Sequence, residues 1–255
     1  MINLTNVVIS GACGKMGRVI NDVISGRDDC TVIAGIDPIG TEYAGFPVVK
    51  EPAGLAAAPD VIIDFSHPSA LDKLLDYCLT NGTALVAATT GYDQEQIAKI
   101  KKAAEQIPVF FTFNMSLGIN LLAELAKKAV KVLGGQYDIE IIEKHHNQKL
   151  DAPSGTAIML ADAINGELEE KYNYVYDRHS VRAKRSKTEI GMHSIRGGTI
   201  VGEHEILFAG RDEVISLKHE AHSKQVFAVG SVNAAVFLKG RAAGLYDMSD
   251  LLAEQ

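Results

Sequence analysis

The chain contains 255 residues, of which 47% are hydrophobic and 22% charged, and its formal net charge is −7. This composition is typical of a globular protein of one large or two modest domains. An acidic surface argues against nucleic acid as the main partner, because phosphate contacts need a basic face, although a local cation cluster can still bind a small anion. No apolar segment is long enough to span a bilayer, so no membrane association is expected.

Two further features bear on the compartment. The N-terminus lacks the basic segment and following apolar stretch of a signal peptide. The cysteines, Cys13, Cys30 and Cys78, are odd in number and lack metal-ligand spacing. This pattern favours free thiols in a reducing environment. We therefore expect a cytoplasmic protein without a metal site.

Short apolar runs alternate with helical patterns over the first half of the chain. Strands are predicted at 7–9, 31–36, 61–65, 84–87 and 108–111, and helices at 16–25, 69–81 and 92–106. Near-continuous apolar runs separated by helices are typical of a parallel sheet covered on both faces. The first half is therefore predicted to be an α/β domain with a Rossmann-type parallel sheet.

The pattern changes after residue 117. Helices are predicted at 118–133, 156–165 and 225–238, with a short one near Ser249. Strands are predicted at 137–143, 189–195, 199–208 and 213–219, and a polar, basic, mobile loop at 168–187. Consecutive strands indicate a smaller α+β domain with a mixed or antiparallel sheet.

The first strand runs into a glycine-rich turn, G-x-x-G-x-x-G, over residues 11–17. Such a turn lets a pyrophosphate approach a helix N-terminus, although tight turns in general also need glycine. Asp37 ends the second strand, where an acid accepts hydrogen bonds from adenosine ribose hydroxyls. Its carboxylate repels a 2′-phosphate and favours NADH, while Lys15 and Arg18 leave NADPH possible.

Two more loops follow the third and fourth strands, at residues 64–68 and 88–91. Ligands of open α/β sheets bind at the carboxyl ends of the strands, where both loops lie. Ordinary turn chemistry explains any single residue in them equally well.

The segment from residue 143 to 157 carries the most chemistry. His145 and His146 can donate protons near neutral pH, and Lys149 adds a fixed positive charge. The run Pro153-Ser154-Gly155-Thr156 predicts a helix start whose free amides can bind a carboxylate. One irregular segment thus carries a proton donor, a cation and a binding site for an anion. These groups suit the reduction of a small dicarboxylate. A solvated histidine pair is the alternative, and a metal site lacks further ligands at suitable spacing.

This segment closely resembles the signature of the dihydrodipicolinate reductase family, which acts in lysine and diaminopimelate synthesis. Residues 11–17 match its cofactor loop, and 88–91 resemble its second cofactor loop, in which Ala88 replaces the usual glycine. Residues 114–120 resemble its interdomain run, in which Met115 stands where phenylalanine is more common. Residues 196–204 match the start of the sheet of its second domain.

The resemblance implies a role for each matching residue. His145 would donate the proton, Lys149 would be a second acid or charge stabiliser, and Lys224 would stand where the family often has arginine. The substrate carboxylates would be held by His146, Ser154, Gly155 and Thr156. The cofactor would be contacted by Gly11, Ala12, Cys13, Gly14, Lys15, Met16, Asp37, Ala88, Thr89, Thr90, Thr112, Phe113, Asn114 and Met115.

The resemblance also implies an organisation. Residues 1–117 and 228–255 would form the dinucleotide-binding domain, and residues 118–227 the substrate-binding and oligomerisation domain of a homotetramer. Two alternatives remain open: another two-domain NAD(P)-dependent dehydrogenase of a small carboxylate, sugar or amino acid, and a dinucleotide-sensing regulator. The first does not account for the histidine segment, and the second lacks a DNA-reading helix-turn-helix.

Overall fold

The computed structural model describes residues 4–39 and 45–254 of the chain. Residues 1–3, 40–44 and 255 lie outside these ranges, so the expectation about the N-terminal segment falls partly outside the described residues. Contacts divide the chain into two compact units. Met1–Leu117 and Gln225–Gln255 form the first, and Gly118–Lys224 the second.

The first unit contains a seven-stranded sheet in which every neighbouring pair is parallel. The apolar residues of its central strands are fully buried, because helices cover both faces. Numbered by position in the chain, its strands run across the sheet in the order β12 (Gly244–Tyr246), β6 (Pro108–Phe111), β5 (Ala84–Ala87), β4 (Val61–Asp64), β1 (Thr5–Ser10), β2 (Cys30–Ile36) and β3 (Val48–Val49).

Four helices pack on this sheet, two on each face. Helices α1 (Lys15–Ser25) and α6 (Gln225–Leu238) share one apolar cluster with the sheet, and α2 (Leu71–Asn81) and α3 (Gln94–Ala103) share the other. The unit also contains α7 (Met248–Ala253) and short 3-10 helices at Pro52–Gly54 and Pro68–Ala70. The predicted Rossmann-type parallel sheet is confirmed.

The second unit contains a five-stranded mixed sheet. Its strands lie in the order β11 (Val214–Ala221), β10 (Gly202–Ala209), β7 (Asp138–His145), β9 (Glu189–Arg196) and β8 (Asn173–Val175). Strand β10 is antiparallel to both of its neighbours, whereas β9 is parallel to both of its own. The predicted α+β class with a mixed sheet is confirmed.

Helices α4 (Leu117–Leu133) and α5 (Gly155–Gly166) cover one face of this second sheet, and a 3-10 helix at Gly134–Gln136 follows α4. Along β7, Ile139 and Ile141 point into the apolar cluster under these helices, and both are fully buried. The strand alternates buried and partly exposed residues throughout, as expected for a sheet with one covered face.

Two predictions about the second unit are wrong in detail. The loop expected at 168–187 contains strand β8. Near the end of this loop, Arg185 donates hydrogen bonds to the carbonyl oxygens of Ile139 and Glu189 at 3.0 and 2.7 Å. The histidine segment expected to be irregular begins inside a strand, because His145 is the last residue of β7.

Strands β3 and β12 were not predicted, because two or three residues give too short an apolar pattern. Within the described part of the chain, no helix combines the length and the apolar character that crossing a membrane requires.

Candidate active site

The turn between β1 and α1 requires glycine at two positions. Gly11 has a φ of +81°, and a Cβ there would lie 2.7 Å from the carbonyl oxygen of Phe65. A Cβ on Gly17 would lie 2.3 Å from the carbonyl oxygen of Gly11. Glycine therefore lets α1 start close against the carboxyl ends of β1 and β4.

The N-terminus of α1 is free to receive an anion. Its N-cap, Gly14, has no side chain to hydrogen-bond the first turn, and this turn contains no acidic residue. Exposed N–H groups and the helix dipole favour a negative charge at such a position. Of the predicted loop residues, Lys15 is exposed, Cys13 and Met16 are half-buried, and Ala12 is buried in the apolar cluster.

Asp37 fastens this turn to the end of β2. Its Oδ2 accepts a hydrogen bond from the N–H of Cys13 at 3.0 Å, and its Oδ1 accepts one from the N–H of Ile39 at 3.1 Å. The side chain is buried. Each carboxylate oxygen has a second lone pair, so these bonds leave acceptor capacity for a ligand hydroxyl.

A pocket of about 440 Å³ lies at the carboxyl ends of β1, β2 and β4. Its wall includes Gly11, Gly14 and Asp37. It also includes two lysines outside the predicted motifs: Lys50, and Lys73, whose Nζ lies 2.7 Å from Oε2 of Glu51 in the same wall. A wider groove of about 670 Å³ beside the second half of α2 contains none of the predicted site residues.

Asp64 ties together the loops that follow β4 and β5. Its Oδ2 accepts hydrogen bonds from the hydroxyls of Thr89 and Tyr92 at 2.8 and 2.9 Å, and its Oδ1 accepts one from Ser66 at 2.5 Å. Burial, together with the nearby Asp64 charge, raises the pKa of Tyr92 above its ordinary value. Of the predicted loop residues, Ala88 and Thr89 are buried and Thr90 is exposed.

The segment after β6 presents its residues unequally. Met115 is buried in the apolar cluster, so its side chain packs in the core. Phe113 is 76% exposed. The amide of Asn114 accepts the N–H of Ser116 at 2.8 Å, and the hydroxyl of Thr112 hydrogen-bonds the backbone of Asn114. The side chains of Thr112 and Asn114 therefore shape the turn.

In the second unit, His145 is paired with a buried carboxylate. Its Nδ1 lies 2.6 Å from Oε2 of Glu143, two residues earlier on the same face of β7. Arg196 donates from Nη1 to Oε2 and from Nη2 to Oε1 of Glu143, at 2.8 and 2.7 Å. Burial disfavours the charged form of Glu143, but the hydrogen bonds from His145 and Arg196 outweigh it and hold the pKa of this carboxyl well below its ordinary value.

The predicted helix start is present, with Ser154 as the N-cap of α5. The hydroxyl of Ser154 accepts the N–H of Ala157 at 3.1 Å and lies 3.1 Å from Nε2 of His204. Because Ser154 is 2% exposed, its hydroxyl serves the helix and the sheet. Gly155 is exposed at the first turn, and Thr156 is half-buried.

His146 and Lys149 lie in the tight turn that follows His145. The N–H of Lys149 donates to the carbonyl oxygen of His146 at 3.2 Å, and Nζ of Lys149 is 2.8 Å from Oδ1 of Asp151. Both side chains are half-buried. The structure therefore places His145, His146 and Lys149 close together in the chain at the end of β7. Lys224 is exposed at the end of the unit.

Three residues of the candidate site were not recognised from the sequence. Glu143 opens the histidine segment, and Arg196 and His204 are the ends of the run 196–204, but no role was predicted for any of the three. The ring of His204 lies edge-on to that of His145, with centroids 5.2 Å apart. Burial, with His145 adding to it, lowers the pKa of His204 to about 3, so this ring stays neutral. The sequence signal for Glu143 was the alternation of residues in β7, which places it and His145 on the same covered face as Ile139 and Ile141.

Among the described residues, no group of three or more His, Cys, Asp or Glu side chains is arranged to hold a metal ion.

The chain matches two family models along nearly its whole length. Residues 5–115 match the model of the N-terminus of dihydrodipicolinate reductase, and residues 118–252 match that of its C-terminus. A 4-hydroxy-tetrahydrodipicolinate reductase of Clostridium tetani is 45% identical over 249 residues, which cover 98% of this chain and 97% of that protein. One of Caldanaerobacter subterraneus subsp. tengcongensis is 46% identical, with coverage of 98% of both chains.

Solved structures agree with these matches. A dipicolinate-bound dihydrodipicolinate reductase from Paenisporosarcina sp. TG-14 superposes with a TM-score of 0.79 at 26% identity, covering 96% of this chain and 97% of that one. A scyllo-inositol dehydrogenase from Lactobacillus casei, with a TM-score of 0.61 at 13% identity over 99% of this chain and 93% of that one, shares the fold alone. The chain therefore belongs to the dihydrodipicolinate reductase family, as its residues suggested.

Proposed function

We propose that the chain reduces 4-hydroxy-tetrahydrodipicolinate to tetrahydrodipicolinate with a reduced nicotinamide dinucleotide, in lysine and diaminopimelate biosynthesis. One observation supports this most strongly. His145, whose ring is fixed by a buried carboxylate, is followed within 11 residues by Lys149 and by the N-terminus of α5. A proton donor, a cation and an anion seat are thus grouped in one unit. The family membership makes this reaction the first candidate.

The residues of the first unit fit a dinucleotide. The glycine positions that admit no Cβ and the uncapped N-terminus of α1 suit a pyrophosphate. When bound, the reduced nicotinamide supplies the hydride. We infer that Asp37 favours NADH by repelling a 2′-phosphate, and that Lys50 in the same pocket makes NADPH a second coenzyme.

The second unit supplies the proton and holds the carboxylates. After the hydroxylated cyclic imine loses water, one ring carbon accepts hydride and its neighbour needs a proton. Since Nδ1 of His145 faces Glu143, Nε2 is the atom that donates to this carbon, directly or through a water. Lys149 stabilises the developing negative charge. His146 and the first N–H groups of α5, at Gly155 and Thr156, bind the carboxylates, and Ser154 holds this helix start in place.

Assembly and compartment follow from the family and from the cysteines. We infer a homotetramer joined through the uncovered face of the second sheet, where Ile195 and Val214 are exposed. We also infer a cytoplasmic enzyme, since its three cysteines are free. Burial raises the pKa of the Cys30 thiol to about 11 and that of Cys78 to about 12, so both stay unreactive. Light scattering of the purified protein tests the assembly.

A coupled assay tests the reaction. Aspartate semialdehyde, pyruvate and the synthase that condenses them generate the unstable substrate, and the loss of reduced-coenzyme absorbance is followed with NADH and NADPH in parallel. We expect consumption that requires the synthase, faster with NADH. Folded protein that consumes neither coenzyme would refute the proposed reaction.

A further inference from the structure

Glu143 occupies a position that the strand pattern would give to an apolar residue. On the covered face of β7 it follows Ile139 and Ile141, and its side chain is 1% exposed. A buried carboxylate is costly unless it is paired and its oxygens are hydrogen-bonded. Such a group in a core sheet calls for a reason beyond packing.

The sheet register surrounds Glu143 with polar partners. Its cross-strand neighbours are Ser194 on β9 and His204 on β10, while His145 lies opposite Arg196. Oε1 of Glu143 accepts from the N–H of Ser154 at 3.1 Å and from Arg196, and Oε2 accepts from Arg196 at 2.8 Å. The carboxylate thus has a full set of donors when it is ionised.

An ionised carboxylate only accepts hydrogen bonds, so the Nδ1 of His145 that lies 2.6 Å from it must carry a proton. The imidazole then exchanges its other proton only at Nε2. The neighbouring ring of His204 is neutral and adds no competing positive charge. A Cβ at position 202 would lie 3.2 Å from Nε2 of His145, so Gly202 keeps the space beside this atom open.

We propose that Glu143, clamped by Arg196, is a positioning residue that holds the proton of His145 on Nδ1 and so dedicates Nε2 to proton transfer. This inference rests on the proposed function, in which His145 is the proton donor. A purely structural carboxylate is the alternative, since Arg196 also donates from Nη2 to the carbonyl oxygen of Asp151 at 2.6 Å.

Strand β7 offers a matched control. Glu140 lies on its other face and has the same kinds of partner: Nε2 of His193 at 2.7 Å and Nε of Arg185 at 2.9 Å. The pKa of Glu140 is also lowered below its ordinary value, against the effect of burial, by its hydrogen bonds to His193 and Arg185. Glu140→Gln therefore removes a similar charge from the same strand without touching His145.

The test compares Glu143→Gln, Glu140→Gln, His145→Gln and the double variant Glu143→Gln/His145→Gln in the coupled assay. We expect Glu143→Gln to lower kcat roughly 10²-fold with KM changed less than about threefold, as for loss of a general acid's alignment. Glu140→Gln removes a comparable charge from the uncovered face without touching His145, so kcat of the assembled enzyme stays within about threefold of wild type, with assembly checked by light scattering. Residues that act as a unit are non-additive, so adding Glu143→Gln to His145→Gln costs little more. A structural role would instead add its full cost in both backgrounds.

Nitrogen-15 spectra of histidine-labelled wild-type enzyme keep the inference testable even where Glu143→Gln fails to fold. His145→Gln identifies the signal, and we expect a proton on Nδ1 at neutral pH. A wild-type ring protonated on Nε2 alone overturns the inference, as does additivity of the two substitutions. An inert wild-type enzyme would instead count against the proposed function, and an active His145→Gln enzyme against the assigned donor.

Discussion

The two units build their candidate sites from different materials. The first shapes the turn at residues 11–17 from backbone, where glycines leave room and Asp37 holds an N–H. The second uses side chains, a histidine held by a carboxylate that is itself held by an arginine. Added atoms should impair the site of the first unit, because it is shaped by backbone. Loss of a charge or a proton should impair the site of the second unit, because it is made of side chains. Substitutions in the first unit should therefore change coenzyme binding, and substitutions in the second unit should change turnover.

The largest effect is expected at His145. His145→Gln removes the proton donor while the first unit is untouched, so kcat should fall about 10²- to 10⁴-fold, the range of general acid catalysis. Coenzyme affinity, measured by fluorescence titration, should stay within about twofold, because the residues proposed to hold the coenzyme belong to the first unit. His179→Gln, at an exposed position, is the control. Turnover near wild type in His145→Gln would mean that the acid lies elsewhere.

The corresponding change in the first unit is Gly17→Ala, which adds atoms to the turn. The added methyl would lie 2.3 to 2.7 Å from backbone atoms of Gly11 and Ala12, so the helix must move. We expect coenzyme Kd to rise more than about tenfold and unfolding to be easier by roughly 1–3 kcal/mol, as for overpacking. Gly26→Ala is the control at the other end of α1, where the nearest atom to a new Cβ is 3.8 Å away. Equal behaviour of the two variants would contradict the proposed close fit.

His204 adds a pH dependence to the second unit. Its pKa falls from 6.5 to about 3 on folding, so below pH 6.5 the unfolded chain binds a proton that the folded protein does not. Its contribution to stability is complete above pH 6.5 and is lost at about 1.4 kcal/mol per pH unit between 6.5 and 3. Denaturant titrations at pH 7 and pH 5 should show a smaller difference for His204→Gln than for wild type. An unchanged difference would exclude this residue as its source.

The smallest effect is expected at the start of α5. Ser154→Ala removes the cap from the N–H of Ala157 and the hydroxyl beside Nε2 of the buried His204, and should cost about 1–2 kcal/mol of unfolding free energy. Ser154→Thr, which keeps the hydroxyl, should recover most of it, as followed by urea unfolding. If the alanine variant lost turnover out of proportion to stability, Ser154 would be a direct substrate ligand.

Much of the fold was predictable because its signals are local. The strands at 84–87 and 108–111 and the helix at 225–238 agree with the structure residue for residue, since each is a continuous apolar run or a clear helical pattern. Strand β8 was missed because three residues inside a polar stretch give no pattern; its pairing with β9 defines it.

The candidate site was predictable only in part. His145 and Lys149 share one short segment, so their neighbourhood is local. Arg196 reaches Glu143 across 53 positions, and its place depends on the parallel pairing of β7 and β9. No local pattern contains that register, so the partners of His145 became visible only in the folded sheet.

The enclosure of the Glu143–Arg196 pair has a consequence for ionic strength. The side chains of Glu143 and Arg196 are 1% and 20% exposed, whereas those of the ion pair between Lys73 and Glu51 are 69% and 55% exposed. Dissolved counterions screen exposed charges within a Debye length of about 10 Å at 0.1 M salt, but buried pairs much less. Concentrated salt should therefore weaken the Lys73–Glu51 pair while leaving the Glu143–Arg196 pair, and the alignment of His145 that we propose it maintains, intact.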